Sequence, residues 1–116
     1  MSRIDRVNPG KIYSDAVDYH GFVFLRGVTA KDTSQDIKGQ TKDVLDQIDA
    51  LLEERGTDKT RLLSAQIWLS DITLRDAMNE VWTDWVPPGM APARACVESR
   101  LARPDMLVEI MVVACK

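Results

Sequence analysis

Between Thr33 and Gly56 the apolar residues Ile37, Val44, Leu45, Ile48, Leu51 and Leu52 recur at three- and four-residue spacing. Lys42, Asp43, Asp46, Asp49 and Glu53 take the opposite side. This period predicts an amphipathic helix with a solvated charged face, capped by Thr33 or Ser34 at its start and by a left-handed Gly56 after its end. A second stripe, Leu74, Ala77, Met78, Val81, Trp82 and Trp85, predicts another helix. Thr73 with Asp76 three residues on resembles a start box, and Pro87-Pro88-Gly89 stops it. Its aromatic residues read as core.

The remaining apolar runs alternate or are short and continuous, as strands do. Ile4 to Val7 and Ala16 to His20 are short extended pieces separated by the Asn8-Pro9-Gly10 turn. Phe22 to Leu25 is an unbroken β-prone run, which predicts a strand buried on both faces, ending near Gly27-Val28. From Arg61 to Leu69, Leu63, Ala65, Ile67 and Leu69 share one side, with Ser64, Gln66 and Trp68 on the other. Two further strands are expected at about Pro92 to Glu98 and Met106 to Ala114, joined by a loop containing Arg103-Pro104-Asp105. The order predicts an α+β layer fold: a mixed sheet with both helices on one face. Trp68, Leu107, Met111 and Val113 would then line an uncovered face too apolar for water, so burial against another subunit in a closed homo-oligomer is expected.

Composition narrows the class. A chain of 116 residues, 45% hydrophobic and 28% charged, fits one domain spanning residues 1–116. Fifteen basic residues against 18 acidic ones give a net charge of −3 without a basic stripe, which argues against nucleic acid as a partner. No run approaches the roughly 18 apolar residues of a membrane span, and no signal-peptide pattern appears. Cys96 and Cys115 form no C-x-x-C pair and cannot build a zinc site with the lone His20, which reads as a surface residue beside a turn glycine. Reduced thiols in a cytoplasm fit this usage, and no metal is expected.

The residues that interrupt the apolar runs with candidate chemistry are Arg94, Cys96 and Glu109. In a strand from Pro92, Arg94, Cys96 and Glu98 share one face, and Ala93, Ala95 and Val97 the other. The small residues suit helix packing, which would turn Arg94 toward the open face. A guanidinium there fits a substrate carboxylate through two parallel hydrogen bonds, or else pairs with an acidic residue at a subunit contact. Glu109 lies among Leu107, Met111 and Val113, where a carboxylate is costly without partners. It is either a general acid–base group or half of a buried ion pair with Arg94 or another cation. Cys96 alone reads as a small packing residue.

Ala91-Pro92-Ala93-Arg94-Ala95-Cys96-Val97-Glu98, then Leu107-Val108-Glu109-Ile110, and the early Ile12-Tyr13-Ser14-Asp15-Ala16-Val17 resemble three functional stretches of the Rid (YjgF) family of enamine/imine deaminases, in the same order. Gly39-Gln40-Thr41 and Trp68-Leu69-Ser70-Asp71-Ile72 extend the resemblance over essentially the whole chain. It implies a Bacillus chorismate mutase-like fold, a homotrimer, and pockets in clefts between subunits. It also implies that Arg94 grips the carboxylate of a 2-imino acid and that Glu109 positions and activates water. Tyr13, the backbone at Gly27 and Cys96 would line the pocket. The expected reaction is hydrolysis to a 2-keto acid and ammonia without cofactor or metal.

Lys11-Ile12-Tyr13, Arg26-Gly27-Val28 and Ala91 depart from the best-known members of the family, which points to a sibling subgroup with its own imine or enamine substrate. The alternatives are a non-catalytic trimer that binds a small carboxylate as sensor or chaperone, and a ribonuclease, which the negative charge disfavours. Arg26, counted by alternation from Phe22, shares a face with Phe24 and Val28. It is expected either at the pocket rim, selecting a second substrate carboxylate, or in an ion pair across the subunit contact.

Overall fold

The computed structural model describes residues 3–116. Seven strands, β1 Asp5–Val7, β2 Ala16–Tyr19, β3 Phe22–Leu25, β4 Val28–Thr29, β5 Leu62–Leu69, β6 Ala93–Glu98 and β7 Val108–Cys115, form one sheet. The order is β1-β2-β3-β7-β5-β6, with β4 beside β7 on the side of β3. Only β5 and β6 pair in parallel, so the sheet is mixed. The helices are α1, Ile37–Glu54, and α2, Arg75–Trp85.

The connections explain why both helices lie on one face. β4 and β5 are each antiparallel to β7, and β5 is parallel to β6, so β4, β5 and β6 point the same way. The crossovers β4-α1-β5 and β5-α2-β6 step across the sheet in the same direction. Crossovers of one hand that step the same way cover the same face. Val23, Leu25, Val28, Ala65, Ile67, Leu69, Val108, Ile110 and Val112 meet Val44, Leu45, Ile48, Leu52, Met78 and Trp82 there in a single core. The other face carries Phe22, Phe24, Trp68, Val97, Met111 and Val113, and none of the described residues forms a layer over it.

Several expectations change in detail. β3 alternates exposed and buried rather than being buried twice, because the second layer that would cover Phe22 and Phe24 is absent from the chain's own fold. α1 starts later than expected: Asp36, not Thr33 or Ser34, accepts the Gly39 N–H at 2.9 Å. Gly56 does take the left-handed conformation, φ 76°. Leu62 rather than Leu63 enters the core, because a register irregularity between Leu62 and Ser64 turns Leu63 outward. Asp71 caps the 3₁₀ turn Ile72–Leu74 that leads into α2, and Thr73 donates to it instead of forming a box with Asp76.

Two charges of the solvated face of α1 are also structural. Asp43 accepts the Lys31 and Asp32 backbone N–H groups, and Asp49 accepts the Trp85 indole N–H at 3.0 Å.

Buried Gln40 ties the loops around the sheet's open end to α1. Its amide nitrogen donates to the carbonyls of Thr33, Gln35 and Asp105, and its oxygen accepts the Leu107 N–H at 3.0 Å. The loop into β7, and with it the placement of Glu109, is thereby fixed from beneath. At the other end Asp18 pairs with Arg55 and Lys116, each at 2.7 Å. Burial pushes its carboxyl up, but the two cations together outweigh that and hold it below its ordinary value.

Candidate functional site

A bulge shapes the edge of the open face. Phe24 pairs with Val113 and Val28 with Ile110, so four steps on the β3–β4 side match three on β7. The extra residue falls at Leu25-Arg26-Gly27 and reverses the alternation, as bulges do. Arg26 therefore keeps company with Phe24 but not with Val28, which is fully buried on the helix side, contrary to simple counting.

The bulge brings Gly27 under the side chain of Glu109. A Cβ at Gly27 would stand 2.2 Å from the Glu109 Oε2, so only glycine leaves room for the carboxylate in this pose. Glu109 itself projects from β7 on the uncovered face, paired in register with Thr29 and Trp68. Among the described residues its carboxylate makes no hydrogen bond or ion pair.

A cavity of about 560 Å³ opens beside it, lined by Tyr13, Ser14, Arg26, Gly27, Ala102, Met106, Glu109 and Met111. Arg26 does not neutralise Glu109, because its guanidinium is engaged elsewhere. Nε pairs with Asp15 at 3.3 Å, and Nη1 donates to the Gly27 carbonyl at 3.1 Å. Asp15 also accepts from the Asn8 amide, which braces the 8–15 loop. That loop presents Ile12 and Tyr13 outward, 91% and 63% exposed. Tyr13, Arg26, Gly27 and Glu109 thus come together in one cavity.

Arg94 and Cys96 do not join them. Arg94 pairs in register with Ala65 and Glu109 with Trp68, two β5 residues on opposite faces. The expectation that Arg94 faces the open side is therefore corrected: it lies on the helix side, its Nη1 donating to the Asn79 Oδ1 at 2.7 Å and its guanidinium 5.4 Å from the Trp82 ring centre. Cys96 packs against the core, and burial pushes its thiol up, opposed by the charges of Arg94 and Arg75. A thiol held in its neutral form is a poor nucleophile. The buried pairing of Glu109 with Arg94 within one chain is likewise absent from the geometry.

A wider groove of about 640 Å³ runs between α1 and α2, but Lys42 and Asp46 pair with each other along it and Trp85 is occupied by Asp49 and Lys59. Among the described residues no three His, Cys, Asp or Glu side chains gather as a metal ion would require. Among the described residues no helix is long and apolar enough to cross a membrane.

The family described as endoribonuclease L-PSP matches residues 3–116. A RutC family protein from Haemophilus ducreyi is 39% identical, covering 98% of this chain and 95% of that protein. The RutC family protein YoaB of Escherichia coli is 38% identical over 96% of each. Among solved structures, NMB1025 of Neisseria meningitidis, a member of the YjgF protein family, superposes with a TM-score of 0.94 at 45% identity, covering 98% of this chain and 95% of that one. Rv2704 of Mycobacterium tuberculosis, of the YjgF/YER057c/UK114 family, gives 0.87 at 26% identity over 98% and 100%.

Proposed function

Taking as premise that the chain belongs to the Rid (YjgF) family, we propose that it hydrolyses reactive 2-imino or enamine acids to 2-keto acids and ammonia. The observation that carries the reading is Glu109: an uncompensated carboxylate held over a glycine at the wall of a cavity, with Tyr13 beside it. Such a group takes a proton from water as the oxygen adds to the imine carbon. It returns that proton to nitrogen to complete the carbinolamine, and then relays the carbinolamine hydroxyl proton to nitrogen as the C–N bond breaks, leaving the ketone and ammonia. Imines react readily, so positioning and one proton shuttle suffice, the shuttle contributing on the order of 10²–10⁴-fold.

Arg94 supplies the grip on the substrate carboxylate in this proposal. Because Arg94 and Glu109 occupy opposite faces of one chain, a centre using both draws Arg94 from one copy and Glu109 from a neighbour. The uncovered apolar face and the outward Ile12 and Tyr13 support such an assembly, which we take to be a trimer with the chorismate mutase-like arrangement. RNA cleavage, the activity in the description of the matched family, is opposed by the net charge of −3.

Coupling the protein to an amino-acid oxidase and following imine loss across a panel of 2-imino acids tests the proposal. Faster loss than in buffer for at least one class is expected. Rates equal to buffer throughout, together with measurable binding of 2-keto acids, would replace it with a non-catalytic carboxylate-binding sensor or chaperone.

A further inference from the structure

Arg94 is held without being neutralised. Its partners are the Asn79 amide oxygen, 2.7 Å from Nη1, and the face of Trp82, a side chain only 7% exposed. Asn79 and Trp82 stand three residues apart on α2 and so share one stripe of that helix. Among the described residues no carboxylate pairs with Arg94, although α2 also carries Asp76, Glu80 and Asp84. Glu80 is taken by Lys38 and Asp76 by Arg75.

An amide oxygen and a ring face restrict a guanidinium's orientation while leaving its full charge in place. With Nη1 engaged, the side-on edge of the fork, Nε with Nη2, has no acceptor among the described residues. That edge offers the two parallel N–H groups a carboxylate accepts.

We propose that Asn79 and Trp82 are positioning residues for carboxylate binding, holding Arg94 with neutral groups so that its side-on edge stays charged and open. This rests on the reading of Arg94 as the substrate-carboxylate site. Asn79→Asp is the sharpest probe, because it keeps the shape and adds a charge that pairs with Arg94 and competes with the ligand.

Pyruvate, a stable 2-keto acid, serves as the probe in titration calorimetry on wild type, Asn79→Asp, Asn79→Ala, Arg94→Ala and the double variant Asn79→Asp/Arg94→Ala. Asn79→Asp should weaken pyruvate binding ~10-fold or more, with a melting temperature no lower than wild type, and should raise KM for an imine while leaving kcat nearly unchanged. Asn79→Ala should weaken binding only ~3-fold, since it loosens the fork without discharging it. In the Arg94→Ala background the Asn79→Asp change should have no further effect. Wild-type affinity in Arg94→Ala would remove the carboxylate role of Arg94 itself. Lost affinity in Arg94→Ala with wild-type affinity in both Asn79 variants, or an equal loss from Asn79→Asp when Arg94 is absent, would overturn the positioning role and leave the parent reading standing.

Discussion

At Gly27 the absence of a side chain is what lets Glu109 lie where it does. Alanine there would put a carbon 2.2 Å from the Glu109 Oε2, but the obstructing atom is the far end of a flexible side chain, which can swing aside. Gly27→Ala should therefore fold almost as well as wild type and lose activity by ~10²-fold, as a catalytic group displaced by about 1 Å does. Imine turnover beside a thermal melt separates these effects; full activity in Gly27→Ala would mean that the observed pose of Glu109 is not the working one. Glu109 was visible in the sequence as a charge among apolar neighbours, and Gly27 only through the family resemblance. Their contact was unreadable, because it depends on a bulge formed with a strand more than eighty residues downstream. Arg94 was legible as a functional candidate but not its direction: Ala93 and Ala95 looked like helix-packing residues, whereas the Arg94 guanidinium sits over the Trp82 ring and the alanines face outward.

At the scale of elements, polar clamps that no periodicity reveals hold helices and loops to the sheet. Gln40 was placed at the opening of α1 by resemblance alone, and its hydrogen bonds to three carbonyls and the Leu107 N–H emerge only in three dimensions. Gln40→Leu leaves those backbone groups unpaired and should destabilise the fold by ~2–5 kcal/mol in denaturant unfolding. A loss below 1 kcal/mol would mean that water replaces the amide at little cost.

Asp18 joins β2 to the C-cap residue of α1, Arg55, and to the last residue, Lys116. Its folded pKa is lowered, so its contribution is present above the unfolded value near 3.8 and is lost as pH falls through the folded value. Asp18→Asn should cost ~1.5–3 kcal/mol near neutral pH, and the gap from wild type should close as pH drops below about 4. A pH-independent gap would assign the effect to packing. The amphipathic periods of α1 and α2 and the alternation of β5 and β7 were readable because each buries one stripe or face against the same core.

For the whole molecule, two crossovers of one hand leave a sheet face with Phe22, Phe24, Trp68, Val97 and Met111 uncovered and put Arg94 and Glu109 on opposite sides. The layer order was legible from the succession of strands and helices. The sidedness of the two charged residues was not, since an edge strand pairs on one side only and its small residues suit either face. A trimer should run near 39 kDa, three times the 13.0 kDa chain.

The central claim is that Arg94 of one copy and Glu109 of another form one hydrolytic centre, and mixing two inactive variants tests it most directly. Arg94→Ala and Glu109→Gln are assayed alone and then co-assembled in equal amounts by joint refolding. If the centre is shared between copies, a variant with intact Glu109 and one with intact Arg94 regenerate a complete site wherever they adjoin in the right order, which random assembly achieves at about a quarter of the sites. Imine hydrolysis should then return to about a quarter of the wild-type rate. Activity no higher than the sum of the two variants measured separately, in mixed assemblies shown by mass to contain both chains, would contradict the account.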